Sequence, residues 1–484
     1  MRNLGQIMTP RPLIQEMLDL VGYKGKGKIL EPSFGSGGFL IEIVQRIKEQ
    51  CSRHNDWVKT VQDTVFGYEI DKTYYEGTVQ ELHEILPEVD WQKNLLLGDA
   101  LKLWREDKNR YDFVVGNPPF NRTKASNLIQ FSHCKGVADT YIAFYELGIQ
   151  LLNDTGRLGY VSSNGFLFNK SQQGFRDYLV SENLIDTICD YKDEPLFRGV
   201  SVCTCLTVLS CSPHIRGGVS TAVYIDRQRG FETVWQPKDY LGKEWLIVSE
   251  DDRKFLEEVS KRGLKLKDIA QIQNGVETNR DSIYIRDVYV DRKMTQKLVG
   301  ETESHATVYL KEDSEPIGIE SGILRPIVKA TTLEKKWIIF PYKTKATDTG
   351  YEPMTEIELR GQYPKAYEHL LSKRDELEKR NMSNGLDWFL FARTQGLASM
   401  NQPKIVFKHM FKADTERFEP MELPSETLTY SKIYITTDQK EKVMRILGSR
   451  DFARYCALTG LRRANGYVIV GVKQLRQYGV PDEE

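Results

Sequence analysis

The sequence lacks the features of a membrane protein or a secreted protein. No apolar run in its 484 residues approaches the roughly 20 residues that a membrane-spanning helix needs. The segment Met1–Gln6 also lacks the apolar stretch of a signal peptide. The seven cysteines are odd in number and include no Cys-x-x-Cys pair, so we interpret them as reduced thiols. We therefore predict a cytoplasmic protein that has no membrane partner.

Histidines are few, and the net charge is close to zero. The seven histidines show no ligand spacing of the His-x-x-x-His type, so we predict no metal site. The formal net charge of -1 gives no overall attraction to nucleic acid, but such binding depends on where the charges lie. The composition is 40% hydrophobic and 28% charged, which is typical of globular proteins. The length predicts two or three domains.

Strands and helices alternate through the first half of the chain. The first predicted helix has Thr9 as its N-cap and Pro10 at its first position. Beyond it, apolar runs predict seven strands, at 28–32, 64–71, 94–100, 111–116, 158–162, 184–191 and 202–209. Together with the helical patterns between them, they predict an α/β fold, a doubly wound Rossmann-like domain with a seven-stranded, mostly parallel sheet. The last two strands have no helix between them, which predicts an antiparallel edge hairpin.

The alternation weakens around residues 212–245, and we place a domain boundary there. We predict a catalytic domain at 1–240 and a mixed α+β domain at 241–484, where short strands mix with polar turns. Side chains suited to contact nucleic acid in this second domain are Asn274, Asn279, Arg280, Lys408, Arg462 and Arg463. Each of them, taken singly, is also typical of a solvated surface or a phosphate contact.

A glycine-rich loop follows the first predicted strand. The strand ends near Glu31, and the loop Ser33–Gly38 leads into a helix, which is typical of sites for nucleotide-like ligands. The spacing matches neither the dinucleotide pattern Gly-x-Gly-x-x-Gly nor a phosphate loop ending in Gly-Lys-Ser/Thr. Glu31 would repel a phosphate and suits a ligand that is cationic at that point, such as an amino-acid ammonium group. A plain tight turn is the alternative interpretation of this loop.

Three further strands also end in polar side chains. Glu69 and Asp99 lie at the carboxyl ends of the second and third strands, and Asn117 follows the fourth. Because the carboxyl ends of parallel strands meet at one edge of a sheet, ligands of open α/β sheets bind there. A single acid at a strand end is usually a helix cap, but four polar strand ends in succession favour a shared ligand site.

The fourth strand leads into a stiff tip, Asn117-Pro118-Pro119-Phe120. Each proline pushes the residue before it into an extended conformation, and neither proline has an N–H group. The tip therefore offers the Asn117 amide, the Pro118 carbonyl and the Phe120 ring. Taken alone, such a tetrapeptide is more typical of an ordinary loop than of a site.

The ordered combination of the glycine loop, the strand-end acids and the Asn117–Phe120 tip resembles the S-adenosylmethionine-dependent amino-methyltransferases. The Thr9-Pro10 segment precedes the loop, and a long second domain follows the catalytic half. In this order the chain is similar to the gamma class of N6-adenine DNA methyltransferases. The resemblance is close over the first half of the chain and loose over the second half, which it implies is a target-recognition domain.

The resemblance implies a role for each of these residues. The cofactor, S-adenosylmethionine, would be bound by Thr9, Pro10, Glu31, Phe34, Gly35, Glu69, Asp99, Ala100 and Asn117. In that set Glu69 would hold the ribose hydroxyls, and Asp99 would accept from the cofactor's adenine amino group. The catalytic residues would be Asn117, Pro118, Pro119, Phe120 and Phe197, of which Phe197 would stack on the target base. The segment Asp139–Tyr141 starts the helix that borders the target adenine in the family.

The tip could supply the chemistry that an exocyclic amine needs. The lone pair of such an amine is delocalised into the ring, and two acceptors aimed at its N–H bonds would favour a pyramidal, nucleophilic nitrogen. The Asn117 side-chain oxygen and the Pro118 carbonyl are such a pair. Catalysis would then consist mainly of positioning and charge placement, with Phe120 stacked on a base that has been flipped out of the duplex.

These observations lead to one main hypothesis and one alternative. The main hypothesis is a sequence-specific DNA adenine N6-methyltransferase of a restriction-modification system, acting as a monomer on double-stranded DNA. A separate cognate restriction endonuclease is a further implied partner. The alternative is an amino-methyltransferase that acts on RNA or on protein glutamine, since the same tetrapeptide serves other planar nitrogens. The large second domain favours DNA.

Overall fold

The structure is a computed structural model that describes residues 8–103, 110–124, 131–133, 137–192, 194–197, 203–212, 215–216, 219–287, 307–310, 317–329, 332–345, 350–383, 385–397, 399–430, 433–463 and 466–482. The chain divides into two compact units. The first unit comprises Met1–Asp251 with Arg462–Gly466, and the second comprises Asp252–Leu461 with Tyr467–Glu484. None of the described helices is long and apolar enough to cross a membrane.

The first unit alternates strands with helices. Its strands are β1 (Ile29–Glu31), β2 (Val65–Glu69), β3 (Leu95–Leu97), β4 (Tyr111–Gly116), β5 (Arg122–Lys124), β6 (Val137–Asp139), β7 (Leu152–Ser163), β8 (Ile185–Asp190), β9 (Thr204–Ser210), β10 (Ile215–Arg216), β11 (Val219–Ser220), β12 (Ala222–Asp226) and β13 (Phe231–Trp235). Its helices are α1 (Arg11–Leu20), α2 (Gly38–Gln50), α3 (His54–Thr64), α4 (Lys72–Ile85), α5 (Trp91–Asn94), α6 (Ala100–Leu103), α7 (Thr140–Leu151) and α8 (Gln173–Ser181).

Nine strands of the first unit, counted over the described residues, form one sheet in the order β13-β12-β8-β9-β7-β4-β1-β2-β3. Strands β1, β2, β3, β4 and β7 are parallel, and β8 is parallel to β12. Strand β9 is antiparallel to both of its neighbours, and β13 is antiparallel to β12. The predicted doubly wound, mostly parallel α/β sheet is confirmed.

Two details of the predicted sheet were wrong. The sheet has nine strands and not seven, because β12 and β13 extend it. Both are five residues long and only partly buried, so their apolar pattern is weaker than that of a central strand. The predicted hairpin of β8 and β9 is antiparallel, but it lies inside the sheet. Strands β12 and β13 form the edge instead.

The sheet has an apolar core on each face. Adjacent strand residues alternate between the two cores: Ile29 and Val115 belong to one, and Leu30 and Val114 belong to the other. Helices α1, α2 and α3 contribute to the first core, and α7 and α8 contribute to the second. This alternation follows from the two-residue period of side chains along a strand, and it explains why the central strands are apolar throughout.

The second half of the chain is built from short strands and helices. Its strands are β14 (Gln271–Asn274), β15 (Ile285–Arg286), β16 (Thr307–Leu310), β17 (Ile317–Glu320), β18 (Leu324–Lys329), β19 (Lys335–Ile339), β20 (Tyr342–Thr344), β21 (Tyr351–Pro353), β22 (Lys404–Val406), β23 (Met410–Lys412), β24 (Met421–Leu423), β25 (Leu428–Tyr430), β26 (Ile433–Thr436), β27 (Leu461–Arg463) and β28 (Tyr467–Ile469). Its helices are α9 (Glu250–Lys261), α10 (Leu266–Ile269), α11 (Asp281–Tyr284), α12 (Glu356–Gln362), α13 (Pro364–Ser372), α14 (Arg374–Glu378), α15 (Lys440–Leu447), α16 (Arg450–Thr459) and α17 (Val472–Gln477).

Two four-stranded sheets, β14-β26-β22-β24 and β15-β19-β18-β25, organise the second unit. An apolar cluster that includes Ile327, Ile338 and Phe391 forms its core. The prediction of a mixed α+β architecture for the second half is confirmed.

The sheet order of the first unit determines where a ligand can bind. Strand β1 lies between β4 and β2, and the chain enters the sheet at β1 before it builds outward on both sides. The carboxyl ends of β1 and β4 therefore flank the point where the strand order reverses. Open α/β sheets bind their ligands at this kind of crevice.

Candidate active site

The glycine loop after β1 is held in place by the neighbouring strand β2 and helix α4. The Phe34 N–H donates to the Tyr68 carbonyl at 3.1 Å, and the Gly35 N–H donates to Glu69 Oε2 at 2.7 Å. On the other side, Thr78 Oγ1 donates to the Gly35 carbonyl at 2.9 Å. These contacts hold the loop against β2 and α4.

Glycine is required at two positions of this loop for different reasons. Gly37 has φ +78°, and a Cβ atom there would lie 2.5 Å from Cγ2 of Thr78. Gly35 has φ +52°, and a Cβ atom there would meet no atom within 4 Å. A glycine that faces open space lets a ligand approach the backbone closely, so the second position is consistent with a binding surface.

Glu31 is a buried carboxylate at the end of β1. Only 2% of the residue is exposed, and its Oε2 atom is buried without a hydrogen-bond partner among the described residues. Burial, together with the nearby charge of Glu69, raises the pKa of Glu31 well above its ordinary value. A cationic ligand group at this point would satisfy the orphaned oxygen and stabilise the ionised carboxylate.

The Asn117–Phe120 tip leaves β4 with neither helical nor strand structure. Asn117 Nδ2 donates to Thr9 Oγ1 at 2.9 Å, across 108 positions of sequence. This bond orients the amide, because it directs the donor end toward Thr9 and the acceptor oxygen away from it. The predicted N-cap role of Thr9 was wrong: helix α1 has Pro10 at its N-cap and no side-chain cap, and the Thr9 hydroxyl binds Asn117 instead.

The loop and the tip enclose a cavity of about 300 Å³, a size suited to a small ligand. The predicted residues that line it are Thr9, Glu31, Phe34, Gly35, Asn117, Pro118 and Pro119. The lining also includes residues that the sequence analysis did not single out: Met8, Ile14, Ser33, Ser36, Gly38, Phe39, Ile41, Tyr74 and Glu81. Tyr74 and Glu81 lie on the surface of α4, where nothing in the local sequence distinguishes them from ordinary exposed residues.

Two of the strand-end acids act as helix caps. Asp71 Oδ1 accepts from the N–H groups of Thr73 and Tyr74 at the start of α4. Asp99 Oδ1 accepts from the Leu101 N–H at the start of α6, at 3.1 Å. Capping of this kind is the ordinary use of an acid at a strand end, and it leaves Glu31 as the acid with an orphaned oxygen.

Glu69 lies behind the glycine loop, next to these caps. Its carboxylate accepts from the Gly35 N–H and, at 2.8 Å, from the Asp71 N–H. Burial raises the pKa of Glu69, and its backbone hydrogen bonds oppose that rise. The Gly98 N–H donates to the Glu69 carbonyl at 2.7 Å, which brings the ends of β2 and β3 together. The carboxyl ends of β2 and β3 therefore carry Glu69, Asp99 and the buried Ala100. The role of these residues with the cofactor stays a prediction.

The two predicted aromatic residues of the target pocket contact each other. The rings of Phe120 and Phe197 lie 6.3 Å apart between centroids, at an interplanar angle of 70°. This is an edge-to-face contact. Phe197 is 4% exposed, and residues 198–202 after it lie outside the described residues. The structure thus brings together two rings that are 77 positions apart in the chain.

Helix α7 begins beside the tip. The Thr140 N–H donates to the Asn121 carbonyl at 3.0 Å, and strands β5 and β6 pair just beyond this bond. The predicted segment Asp139–Tyr141 therefore lies next to the residue that follows Phe120. Asn121 was not singled out from the sequence, and its only signal there is its position directly after the tip.

A doubly wound sheet with a glycine loop, a cavity at its switch point and an Asn-Pro-Pro-Phe tip defines a Rossmann-like amino-methyltransferase. Residues 1–244 match the family described as N-6 DNA Methylase. Because this match covers half of the 484-residue chain, the protein belongs to the N-6 DNA methylase family.

Two relatives illustrate the similarity over most of the chain. The Type II methyltransferase M.BstVI of Geobacillus stearothermophilus is 23% identical over 471 residues, which cover 84% of this chain and 78% of the relative. The Type II restriction enzyme and methyltransferase RM.Eco57I of Escherichia coli is 21% identical over 581 residues, which cover 98% of this chain and 56% of the relative. The chain therefore spans only about half the length of the second relative.

A solved structure shares the fold over nearly the whole chain. It is the Type IIL restriction-modification enzyme MmeI in complex with DNA, with a TM-score of 0.59 and 12% sequence identity. The match covers 95% of this chain and 63% of that protein. At this identity the likeness concerns the fold alone.

Proposed function

We propose that this protein is a sequence-specific DNA methyltransferase of a restriction-modification system, which transfers a methyl group from S-adenosylmethionine to N6 of adenine. The observation that carries the proposal is a cavity lined by Asn117, Pro118 and Pro119 of the tip and by Glu31, whose Oε2 atom has no hydrogen-bond partner among the described residues. The family match over the first half of the chain supports the same activity.

The residues around the cavity fit the cofactor. S-Adenosylmethionine carries an ammonium group, and the orphaned oxygen of Glu31 is suited to accept from it. Thr9 and Pro10 would border the methionine end, and Phe34 and Gly35 would contact the cofactor from the loop. When bound, the cofactor supplies an activated methyl group on a sulfonium centre.

The strand ends beyond the loop would hold the rest of the cofactor. Glu69 would bind the ribose hydroxyls, while Asp99 and Ala100 would border the adenine ring. The hydrogen bond between the ends of β2 and β3 keeps these residues on one side of the crevice and supports this division of roles.

Asn117 and Pro118 would activate the acceptor nitrogen. The Asn117 oxygen and the Pro118 carbonyl would accept the two N–H bonds of the exocyclic amine, which favours a pyramidal nitrogen with its lone pair toward the methyl group. The contact between Asn117 Nδ2 and Thr9 pre-organises the amide for this task. Neither group needs to titrate, so catalysis rests on positioning and fixed dipoles.

Phe120 and Phe197 would bind the target base by stacking. The reacting nitrogen is inaccessible within a duplex, so the base must be flipped out of the helix. The observed rings contact each other edge to face, and a base that entered between them would replace this contact. Stacking on an aromatic ring contributes roughly 1–3 kcal/mol per base.

The second unit would bind DNA and read its sequence. It contains a groove of about 540 Å³ lined by three cationic residues, Lys408, Lys412 and Arg417, together with Tyr467 and Glu419. Lys412 and Tyr467 face each other across β23 and β28, and Lys412 Nζ lies 4.4 Å from the centre of the Tyr467 ring. Cations interleaved with an exposed aromatic ring are typical of nucleic-acid contacts.

Methyl transfer from labelled S-adenosylmethionine into duplex DNA tests the proposal, with RNA and protein as competing acceptors. We expect label in N6-methyladenine of duplex DNA at a defined sequence. Label in RNA or protein glutamine with none in DNA would establish the alternative activity. Asn117→Ala should abolish transfer and leave cofactor affinity within about twofold, because the side chain acts on the acceptor nitrogen.

The number of protein copies on DNA and the proposed endonuclease partner can be tested with the same protein and duplex DNA. We propose that one copy of the chain acts on each DNA site and that a separate restriction endonuclease recognises the same sequence. The mass of the protein–DNA complex in solution tests the first point. Protection of methylated DNA from the endonuclease of the same host tests the second.

A further inference from the structure

Two polar side chains beside the tip have no use in the chemistry described so far. Asn121 Oδ1 and Thr140 Oγ1 are both buried, and neither has a hydrogen-bond partner within the described part of the chain. Thr140 is 8% exposed. A buried polar atom without a partner is destabilising, and such atoms are rare enough in folded proteins that each calls for a physical explanation.

The two groups are neighbours. The Thr140 N–H donates to the Asn121 carbonyl at 3.0 Å, so the backbones are joined at this point. Asn121 directly follows Phe120, whose ring contacts Phe197. Thr140 is the first residue of α7, a helix of 12 residues. The backbone that carries this amide and this hydroxyl is therefore joined at the residue that directly follows Phe120.

The polar groups on either side of Thr140 in the chain, Asp139 and Tyr141, have protein partners. Gln172 Nε2 donates to Asp139 Oδ2 at 2.5 Å, and the Tyr141 hydroxyl donates to Gln172 Oε1 at 3.4 Å. Asn121 and Thr140 differ from these neighbours, because both side-chain oxygens are buried and neither has a partner among the residues that the structure describes. A polar ligand that enters beside the aromatic rings would supply those partners.

We propose that Asn121 and Thr140 bind the ring edge of the flipped base and thereby select adenine. This inference rests on the proposed function. A purine offers ring nitrogens as acceptors, to which the Thr140 hydroxyl can donate, and the Asn121 amide can donate or accept beside it. In this proposal the pair recognises the base and takes no part in the transfer step. Asn117 and Pro118 act on the exocyclic amine.

The test compares Thr140→Val and Asn121→Leu with wild type on duplexes that carry one mapped target site. The target base is adenine or one of three analogues, 1-deazaadenine, 3-deazaadenine and 7-deazaadenine. Each analogue lacks one ring nitrogen of adenine. We expect Thr140→Val to lower kcat/KM on adenine about tenfold, which is the loss of one hydrogen bond to a buried partner. On the analogue that lacks the bonded nitrogen, wild type and Thr140→Val should react at the same rate.

Three controls separate base recognition from a structural effect. Thr140→Ser keeps the hydroxyl and should restore the wild-type preference. Thr187→Val removes another buried hydroxyl, which bonds Asp186 Oδ1 at 2.7 Å, and should leave the ratio between adenine and each analogue unchanged. Asn121→Leu gives a second, independent measurement, because it should alter that ratio even if the Thr140 variant is unstable.

The inference is overturned if both variants lose the same factor on adenine and on every analogue, or lose nothing on any of them. Failure of the proposed function has a different signature, because wild type itself would then transfer no methyl group to unmodified adenine. That result would remove the basis for the inference as well.

Discussion

Replacing Glu31 by glutamine should weaken cofactor binding while it stabilises the free protein. The residue is 2% exposed, and its Oε2 atom has no hydrogen-bond partner in the described part of the chain. In the proposed complex, this oxygen accepts a charge-assisted hydrogen bond from the cofactor's ammonium group. Hydrogen bonds to charged groups contribute about 1.5–3 kcal/mol, so Glu31→Gln should raise the Kd for S-adenosylmethionine by roughly 10- to 150-fold.

Without cofactor, Glu31→Gln should increase the stability of the folded protein. Burial raises the pKa of Glu31 in the folded state above its ordinary value. Its contribution to stability is therefore present at low pH and is lost as the pH rises through the raised pKa. Glutamine cannot ionise, so the variant does not lose this stability. The difference in free energy of unfolding between Glu31→Gln and wild type should therefore grow as the pH rises.

Cofactor affinity should depend on pH through the same group. An ammonium ligand binds the ionised carboxylate, so wild-type affinity should fall as the pH drops through the raised pKa of Glu31. Glu31→Gln should flatten this dependence. Affinity should fall toward low pH because burial and the Glu69 charge raise the pKa of Glu31 in the free protein.

Calorimetric titration with two ligands tests the reasoning. S-Adenosylmethionine carries the ammonium group, and 5'-methylthioadenosine lacks the amino-acid portion altogether, so only the first should bind the variant more weakly. Glu146→Gln is the matched control, because Glu146 is buried but its carboxylate accepts from the N–H groups of Ser132 and His133. An equal loss of affinity for both ligands, or no loss for either, would refute the assignment of Glu31.

Three further predictions concern the acceptor side and DNA. Thr9→Val removes the 2.9 Å bond that orients Asn117 and should lower kcat about fivefold, with recovery in Thr9→Ser; equal rates in both variants would contradict this. Phe197→Ala should lower transfer by roughly 5- to 150-fold and reduce the fluorescence of 2-aminopurine at the target position, whereas Phe197→Tyr should not. Lys412→Ala should weaken binding to all DNA sequences alike and reduce the slope of log K against log salt by about 1; an unchanged slope would exclude a phosphate contact.

The conformations of short segments could be predicted from the sequence. The glycine loop, the stiff tip and the apolar strands depend on residues that are adjacent in the chain, and their conformations follow from backbone sterics and from the two-residue period of a strand. The parallel direction of the central strands also follows from the helices between them. For this reason Glu31, Asn117 and Pro118 were correctly predicted to lie at one edge of the sheet, where they line one cavity.

Only the tertiary structure shows which strand-end acids have hydrogen-bond donors around them. Asp71, Asp99 and Glu31 look alike in the sequence, as acids at or just after a strand. In the structure, Oδ1 of Asp71 and Oδ1 of Asp99 each accept from helix N–H groups within three residues, whereas Oε2 of Glu31 is buried with no donor among the described residues. Whether a buried oxygen has a donor depends on everything packed around it, and a local pattern does not contain that information.

The sequence by itself determined the residue types at the site and the class of fold, because these are set by short-range geometry and apolar periodicity. Only the tertiary structure decided which distant residues meet. Strand β9 inserts between β7 and β8, Thr9 orients Asn117 across 108 positions, and Asn121 lies against Thr140. Such contacts depend on the order of strands in the sheet and on how the loops close over its edge, which the packing of the whole unit decides.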